Sequence, residues 1–237
     1  MAKASEFENH CWKGLFSDEL LEQSSTYVRE TRVGERPALL LIDLYKFVYD
    51  GGNRPVHEIE KEFSLTCGEY AWNAIEPTKR LIAAARAANI PIFYSTRHVD
   101  TGGTLSTKSV VRRKRAPDAY DIWPDFAPQP GDTIIYKERA SAFYGTPMIA
   151  KLNQLGIRSL IVCGESTSGC VRNSVQDAYM NGYNVSIVEE CTYDRNILCH
   201  KVNMFDMHHK YADVMAVDEV IDHLKSLVGL NSLAKTA

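Results

Sequence analysis

Six short apolar runs, separated by longer stretches of helical character, constrain the fold of this sequence more than any other feature. They are Ala38 to Asp43 (ALLLID), Pro91 to Ser95 (PIFYS), Thr133 to Lys137 (TIIYK), Ser159 to Cys163 (SLIVC), Asn184 to Glu189 (NVSIVE) and Ala212 to Val217 (ADVMAV). Runs this short and this continuously apolar fit strands buried on both faces. Between the first two, Glu76 to Asn89 is rich in Ala, Leu and Ile and carries Pro77 where a first helical turn tolerates it. A second helix is predicted from Thr146 and Pro147, with Ile149, Leu152 and Leu155 on one side and Gly156 as its stop. A third is predicted from about Gly169 to Asn181, closed by Gly182. A segment able to cross back over the sheet after each strand implies an α/β fold: a doubly wound, mostly parallel sheet with helices on both faces. Sites in such sheets lie beyond the carboxyl ends of the strands.

The 237 residues, 45% hydrophobic, can bury a large core. Residues 1–36 are polar with scattered aromatics and are expected to form an N-terminal arm packed on a neighbouring subunit. Residues 37–230 are expected to form a single domain, with 231–237 as a tail. Residues 99–131, which include the run Arg112, Arg113, Lys114, Arg115, read as a long loop covering a site or an interface; a solvated loop is the plainer account of the basic run. A net charge of -3 provides no basic field for nucleic acid. No apolar run approaches the roughly 18 to 20 residues needed to cross a bilayer, and the start lacks the pattern of a secretory signal. A cytoplasmic location is therefore expected, without nucleic-acid or membrane partners. The six cysteines contain no C-x-x-C pair, which argues against disulfides and zinc. Cys163, Cys191 and Cys199 are expected to be small buried hydrophobes.

Three polar residues stand at strand ends: Asp43 closes ALLLID, Lys137 closes TIIYK, and Cys170 follows SLIVC after the small-residue turn GESTSG. All three should project at one edge of the sheet. A cysteine at a helix start, beside an ammonium, is biased toward thiolate. A carboxylate in reach can take the thiol proton and later return it to a leaving amine. The turn before Cys170 can aim backbone N–H groups at a developing oxyanion. Singly, each residue has a plainer account: a cap for Asp43, a surface position for Lys137, packing for Cys170.

Lys137 to Glu190 reads KERASAFYGTPMIAKLNQLGIRSLIVCGESTSGCVRNSVQDAYMNGYNVSIVEE. This stretch resembles the signature of the isochorismatase-like cysteine hydrolases, and with ALLLID upstream the resemblance covers roughly residues 33–220. The combination of Lys-x-x-x-Ser-x-Phe-x-x-Thr with Thr-Ser-Gly-Cys-Val-Arg is similar to the branch containing N-carbamoylsarcosine amidase and maleamate amidohydrolase. The resemblance implies a Cys170–Asp43–Lys137 triad and hydrolysis of a small carboxylate-bearing amide or ureide through a thioester, with release of ammonia. It further implies that Arg195, twenty-five residues after the nucleophile, holds the substrate carboxylate; an ion pair at a helix end is the alternative. It places Thr167 and Ser168 on the site lining and Phe143 as an aromatic wall, with ordinary core packing equally compatible for Phe143. It implies a non-proline cis peptide between Glu165 and Ser166, turning an N–H toward the oxyanion, and a homo-oligomer, tetramer or dimer.

The sequence departs from the family in three places. Glu165 stands where relatives commonly carry a small or apolar residue. The first strand continues Asp-Leu-Tyr-Lys-Phe, which puts Tyr45 and Phe47 where substrate or loop contacts are plausible. The nicotinamidase branch binds zinc through Asp-x-His and a second His, whereas here PIFYS is followed by Thr-Arg-His-Val-Asp, leaving His98 as a structural or substrate-side residue. Neighbouring His208 and His209 point about 100 degrees apart on a helix, so no metal and no cofactor is expected. Isochorismatase-type vinyl-ether hydrolysis and a non-catalytic binding or scaffold role are the alternatives to amide hydrolysis.

Overall fold

The computed structural model describes residues 4–97 and 116–234. Six strands form one parallel sheet: β1 Pro37–Ile42, β2 Ile92–Thr96, β3 Thr133–Tyr136, β4 Ser159–Gly164, β5 Asn184–Thr192 and β6 Asp213–Met215, in the order β3-β2-β1-β4-β5-β6. All six predicted strands are present, and the doubly wound α/β class is the observed one. β1, β2 and β4 are buried along their whole length, whereas edge strand β3 exposes Ile134 and Tyr136.

The helices are α1 Ala4–Phe7, α2 Asp18–Gln23, α3 Val56–Ile59, α4 Glu69–Asn73, α5 Ile75–Ala87, α6 Met148–Gln154, α7 Arg172–Met180, α8 Ile197–Lys210 and α9 Val217–Ala234. Strand alternation divides the core into two. Leu39 and Leu41 of β1 face one way, into a cluster with Leu81 and Ala85 of α5 and Val220 and Leu224 of α9. Ala38, Leu40 and Ile42 face the other way, into a cluster with Met148 and Leu152 of α6, Val175 of α7 and Met204 of α8. α5 buries Thr78, Leu81, Ile82 and Ala85, the three- and four-residue spacing of one helical face. α6 stops at Gly156, whose φ of 64° is open to glycine, and an added Cβ there would meet the Arg36 guanidinium. Asn196 caps α8 by accepting from the N–H groups of Leu198 and Cys199. Among the described residues no helix is long and apolar enough to cross a membrane.

One expectation, a buried Cys199, changes, and the arm makes contacts within its own chain. The arm packs on its own chain: Phe7 and Trp12 are buried, Trp12 within the α6–α8 core, where its ring meets Phe205 edge-on at 5.9 Å. Glu8 Oε1 lies 2.9 Å from His209 Nε2, and the Cys11 N–H donates to Glu189. The stretch carrying His208 and His209 reads as polar yet is buried, because the arm lies over it, while His200, also buried, pairs with Thr167. Cys199 is exposed, in the first turn of α8, while Cys163 and Cys191 are buried.

Between β1 and β4 the strand order reverses, because the chain builds β2 and β3 on one side of β1 and β5 and β6 on the other. The crevice at such a switch point, beyond the carboxyl ends, is where this architecture places ligands. Residues 116–131, the described part of the long loop, return over this end. The Lys46 N–H donates to Asp121 O at 2.9 Å, Phe47 N–H to Ala119 O at 3.2 Å, and Trp123 N–H to Leu44 O at 2.8 Å. The basic run and His98 lie outside the described residues.

Candidate active site

Asp43 follows β1 directly, at a φ of 57°, a left-handed conformation that Asp tolerates better than most residues. Its N–H donates to Ser95 O, and Ser95 Oγ, at the end of β2, donates to Asp43 Oδ1 at 2.8 Å. Lys137 follows β3, held by its N–H to Thr96 O at 2.9 Å. Its ammonium lies 2.7 Å from Asp43 Oδ2 and donates to Cys170 Sγ at 3.4 Å. Cys170 stands in a wide turn, Thr167–Val171, that is closed by Val171 N–H donating to Ser166 O five residues back and runs into α7. The peptide bond between Glu165 and Ser166 is cis. Three residues separated by up to 127 positions thus meet at the switch point, because each terminates or follows a neighbouring strand.

The electrostatics differ from the expectation of a resting thiolate. Burial, then the Asp43 carboxylate that the thiol hydrogen-bonds, raise the Cys170 pKa above its ordinary value, and Lys137 only partly opposes them. Burial works against the Lys137 charge, but Asp43 and Cys170 outweigh it and hold the ammonium above its usual range. The resting centre is therefore a protonated thiol beside a carboxylate–ammonium pair, with Asp43 placed to accept the proton when the sulfur attacks.

Tyr45 stacks on Phe47 at 4.8 Å and meets Tyr120 edge-on at 5.2 Å. Burial, then Asp43 and Glu165, push its hydroxyl well above the usual tyrosine range, which places it beside the acidic centre. Glu165 is buried, and Cys67 Sγ donates to its Oε2 at 3.6 Å. Burial, then Asp43, push its carboxyl up to about 8. Arg195 is exposed, in the loop between β5 and α8. Its guanidinium enters none of the ion pairs found among the described residues, and its charge favours the Cys67 thiolate.

Two expected lining residues belong elsewhere. Thr167 is fully buried, and its hydroxyl is paired with His200 Nδ1 at 2.8 Å behind the turn. Phe143 is buried in the α6–α8 core that backs Cys170 rather than forming an exposed wall, since the Ala142 N–H is tied to Ser174 Oγ. Ser168 is exposed, but its hydroxyl and N–H both donate to Asp194 Oδ2, at 2.6 and 2.9 Å.

Sequence reasoning missed Ser95, Asp194, His200 and Cys67. Asp194 has a local signal, its place beside Arg195 after β5. The pairing of His200 with Thr167 has none, because a contact across 33 residues is set by how α8 packs. A crevice of about 890 Å³, lined by residues that include Phe7, Cys11, Arg29, Glu189 and Glu219, lies under the arm and does not include the Cys170 centre. Among the described residues no group of three His, Cys, Asp or Glu side chains is placed to hold a metal ion.

Fold and site define a doubly wound α/β protein with a thiol, a carboxylate and an ammonium gathered at the sheet's switch point. Residues 37–219 match the Isochorismatase domain, and the chain belongs to that family. It is 31% identical over 203 residues to maleamate amidohydrolase of Pseudomonas putida, covering 83% of this chain and 90% of the relative. It is 33% identical over 211 residues to N-carbamoylsarcosine amidase of an Arthrobacter species, covering 85% of this chain and 76% of the relative. A cysteine hydrolase from Pseudomonas syringae pv. phaseolicola shares the fold with a TM-score of 0.70 at 20% identity, over 84% of this chain and 97% of the other. Both sequence relatives are amidohydrolases, and this chain is accordingly a hydrolase of the amide-cleaving kind.

Proposed function

We propose that this protein is a cysteine-dependent amidohydrolase that cleaves the C–N bond of a small carboxylate-bearing amide or ureide through a thioester. The observation that carries the reading is the contact of Lys137 Nζ with both Asp43 Oδ2, at 2.7 Å, and Cys170 Sγ, at 3.4 Å. Asp43 takes the thiol proton as the sulfur attacks the carbonyl carbon, and N–H groups of the turn around Ser166 and Cys170 receive the developing oxyanion. Asp43 then gives the proton to the departing nitrogen, which leaves as ammonia. Water, deprotonated by the same carboxylate, cleaves the thioester and restores the thiol, while Lys137 keeps the charge balanced throughout. The products are ammonia and an acid, or a carbamate that loses carbon dioxide. Arg195 is the partner for the substrate carboxylate, of the kind that maleamate and N-carbamoylsarcosine both carry. Tyr45 contacts the substrate, and residues 37–230 work as one domain within a homo-oligomer, whose mass in solution tests the assembly.

Ammonia release from maleamate, N-carbamoyl amino acids and nicotinamide, run beside Cys170→Ala, tests the reading. Cysteine-dependent release from a carboxylate-bearing compound is the expected result. Full activity in Cys170→Ala would overturn the mechanism, and release from nicotinamide alone would overturn the substrate class.

A further inference from the structure

Glu165 is a buried acidic group at the centre that the mechanism above does not use. Its N–H donates to Ile42 O at 3.0 Å at the end of β1, and its side chain is buried at the switch point. No ion pair among the described residues includes it; its side-chain partner is the Cys67 thiol, at 3.6 Å. Around it stand Asp43 and Tyr45 after β1, Tyr49, Cys67, Lys137 after β3, Cys170 on the nucleophile turn, and Tyr193 and Asp194 at the end of β5.

Charge balance makes this placement consequential. Lys137 and Asp43 neutralise one another, and moving the Cys170 proton to Asp43 leaves the net charge of the buried group unchanged. A second ionised carboxylate in the same volume has no cation of its own, so it and a Cys170 thiolate disfavour each other. We propose that Glu165 is a positioning residue for the reactivity of Cys170, bearing a proton when the centre is competent and suppressing the thiolate when it loses that proton. The proposal rests on the reading of Cys170 as the reacting thiol. The raised titration range of Glu165, near 8, puts the change at mildly alkaline pH, and the two groups titrate as a coupled pair.

The rate of Cys170 alkylation by iodoacetamide, followed by mass spectrometry of its peptide from pH 6 to 10, tests this without a substrate. The wild-type rate is expected to flatten above about pH 8, whereas Glu165→Gln keeps climbing and exceeds it about tenfold at pH 9.5, the effect of one pKa unit of coupling. Below pH 7 the two should agree within about twofold. Cys67→Ala, which removes the donor that favours the ionised carboxyl, should move the wild-type inflection to higher pH. Parallel wild-type and Glu165→Gln profiles would overturn the proposal. If Glu165→Gln does not fold, a wild-type profile without an inflection, superimposed on that of Cys67→Ala, overturns it as well. Absence of Cys170 alkylation at every pH overturns this inference and the cysteine mechanism together; alkylation independent of Glu165 overturns this inference alone.

Discussion

Replacing Asp43 with asparagine separates the structural and chemical roles of the centre. Asparagine tolerates the φ of 57° at this position and can still accept from Ser95 Oγ, so the substitution removes charge and little else. Asp43 and Lys137 are 1% and 7% exposed in their side chains and 2.7 Å apart. Removing one member of a buried pair leaves the other charged and unpaired, at a cost of about 3–5 kcal/mol. For a chain of this size that is a loss of about 6–20 °C in Tm, at about 2–4 °C per kcal/mol. Adding Lys137→Met removes the stranded ammonium and should restore most of the stability, because a buried ion pair replaced as a pair is near neutral. Activity should not return, since a general acid–base group contributes about 10²- to 10⁴-fold. Urea unfolding and ammonia release on the wild type, both single variants and the double variant complete the cycle. If Asp43→Asn is as stable as the wild type, or the double variant is no more stable than Asp43→Asn, then the pair is not the buried, mutually dependent contact described here.

Further outcomes follow from other parts of the molecule. Glu165 has a folded-state pKa of about 8 against an ordinary 4.5, so the folded state holds a proton that the unfolded chain has released. Stability therefore falls as pH rises between these values, by up to about 1.4 kcal/mol per pH unit. His208, lowered to about 2 by burial and then by His10, pulls the other way only below its ordinary 6.5. From pH 6.5 to 8 the histidine contribution has largely ended and Glu165→Gln removes only the Glu165 part of the slope, so urea midpoints of the wild type and Glu165→Gln that fall in parallel there would refute the assignment. Trp12→Ala should cost about 3–5 kcal/mol, because it empties a position in the core beneath the arm; an unchanged unfolding midpoint would show that the arm contributes nothing to the fold. Arg195→Gln should leave Tm unaltered and raise KM for a carboxylate-bearing substrate about ten- to hundredfold, the worth of a charge-assisted hydrogen bond. An unchanged KM would remove Arg195 from the site.

The sheet is legible in the order of residues alone. Buried parallel strands need apolar side chains on both faces, so β1, β2 and β4 are readable as continuous apolar runs without knowledge of their neighbours. Asp43 and Lys137 stand out by the same logic, as polar residues closing such runs, and Cys170 as the thiol in the small-residue turn after β4. The burial of His208 and His209, by contrast, comes from the packing of distant residues. Their local sequence is polar, and it is Phe7, Trp12 and Glu8, about 200 residues away, that cover and pair them. Thr167 and Phe143 turned inward for a similar reason: His200 and the α7 core, rather than local spacing, fix which way they point. The protonation of the centre was equally out of reach. A thiol beside an ammonium at a helix start reads as a thiolate, yet burial and the Asp43 carboxylate outweigh both influences, and those depend on depth and on a residue 127 positions away. Strand pattern is a property of contiguous residues, whereas desolvation and charge pairing are properties of the folded neighbourhood.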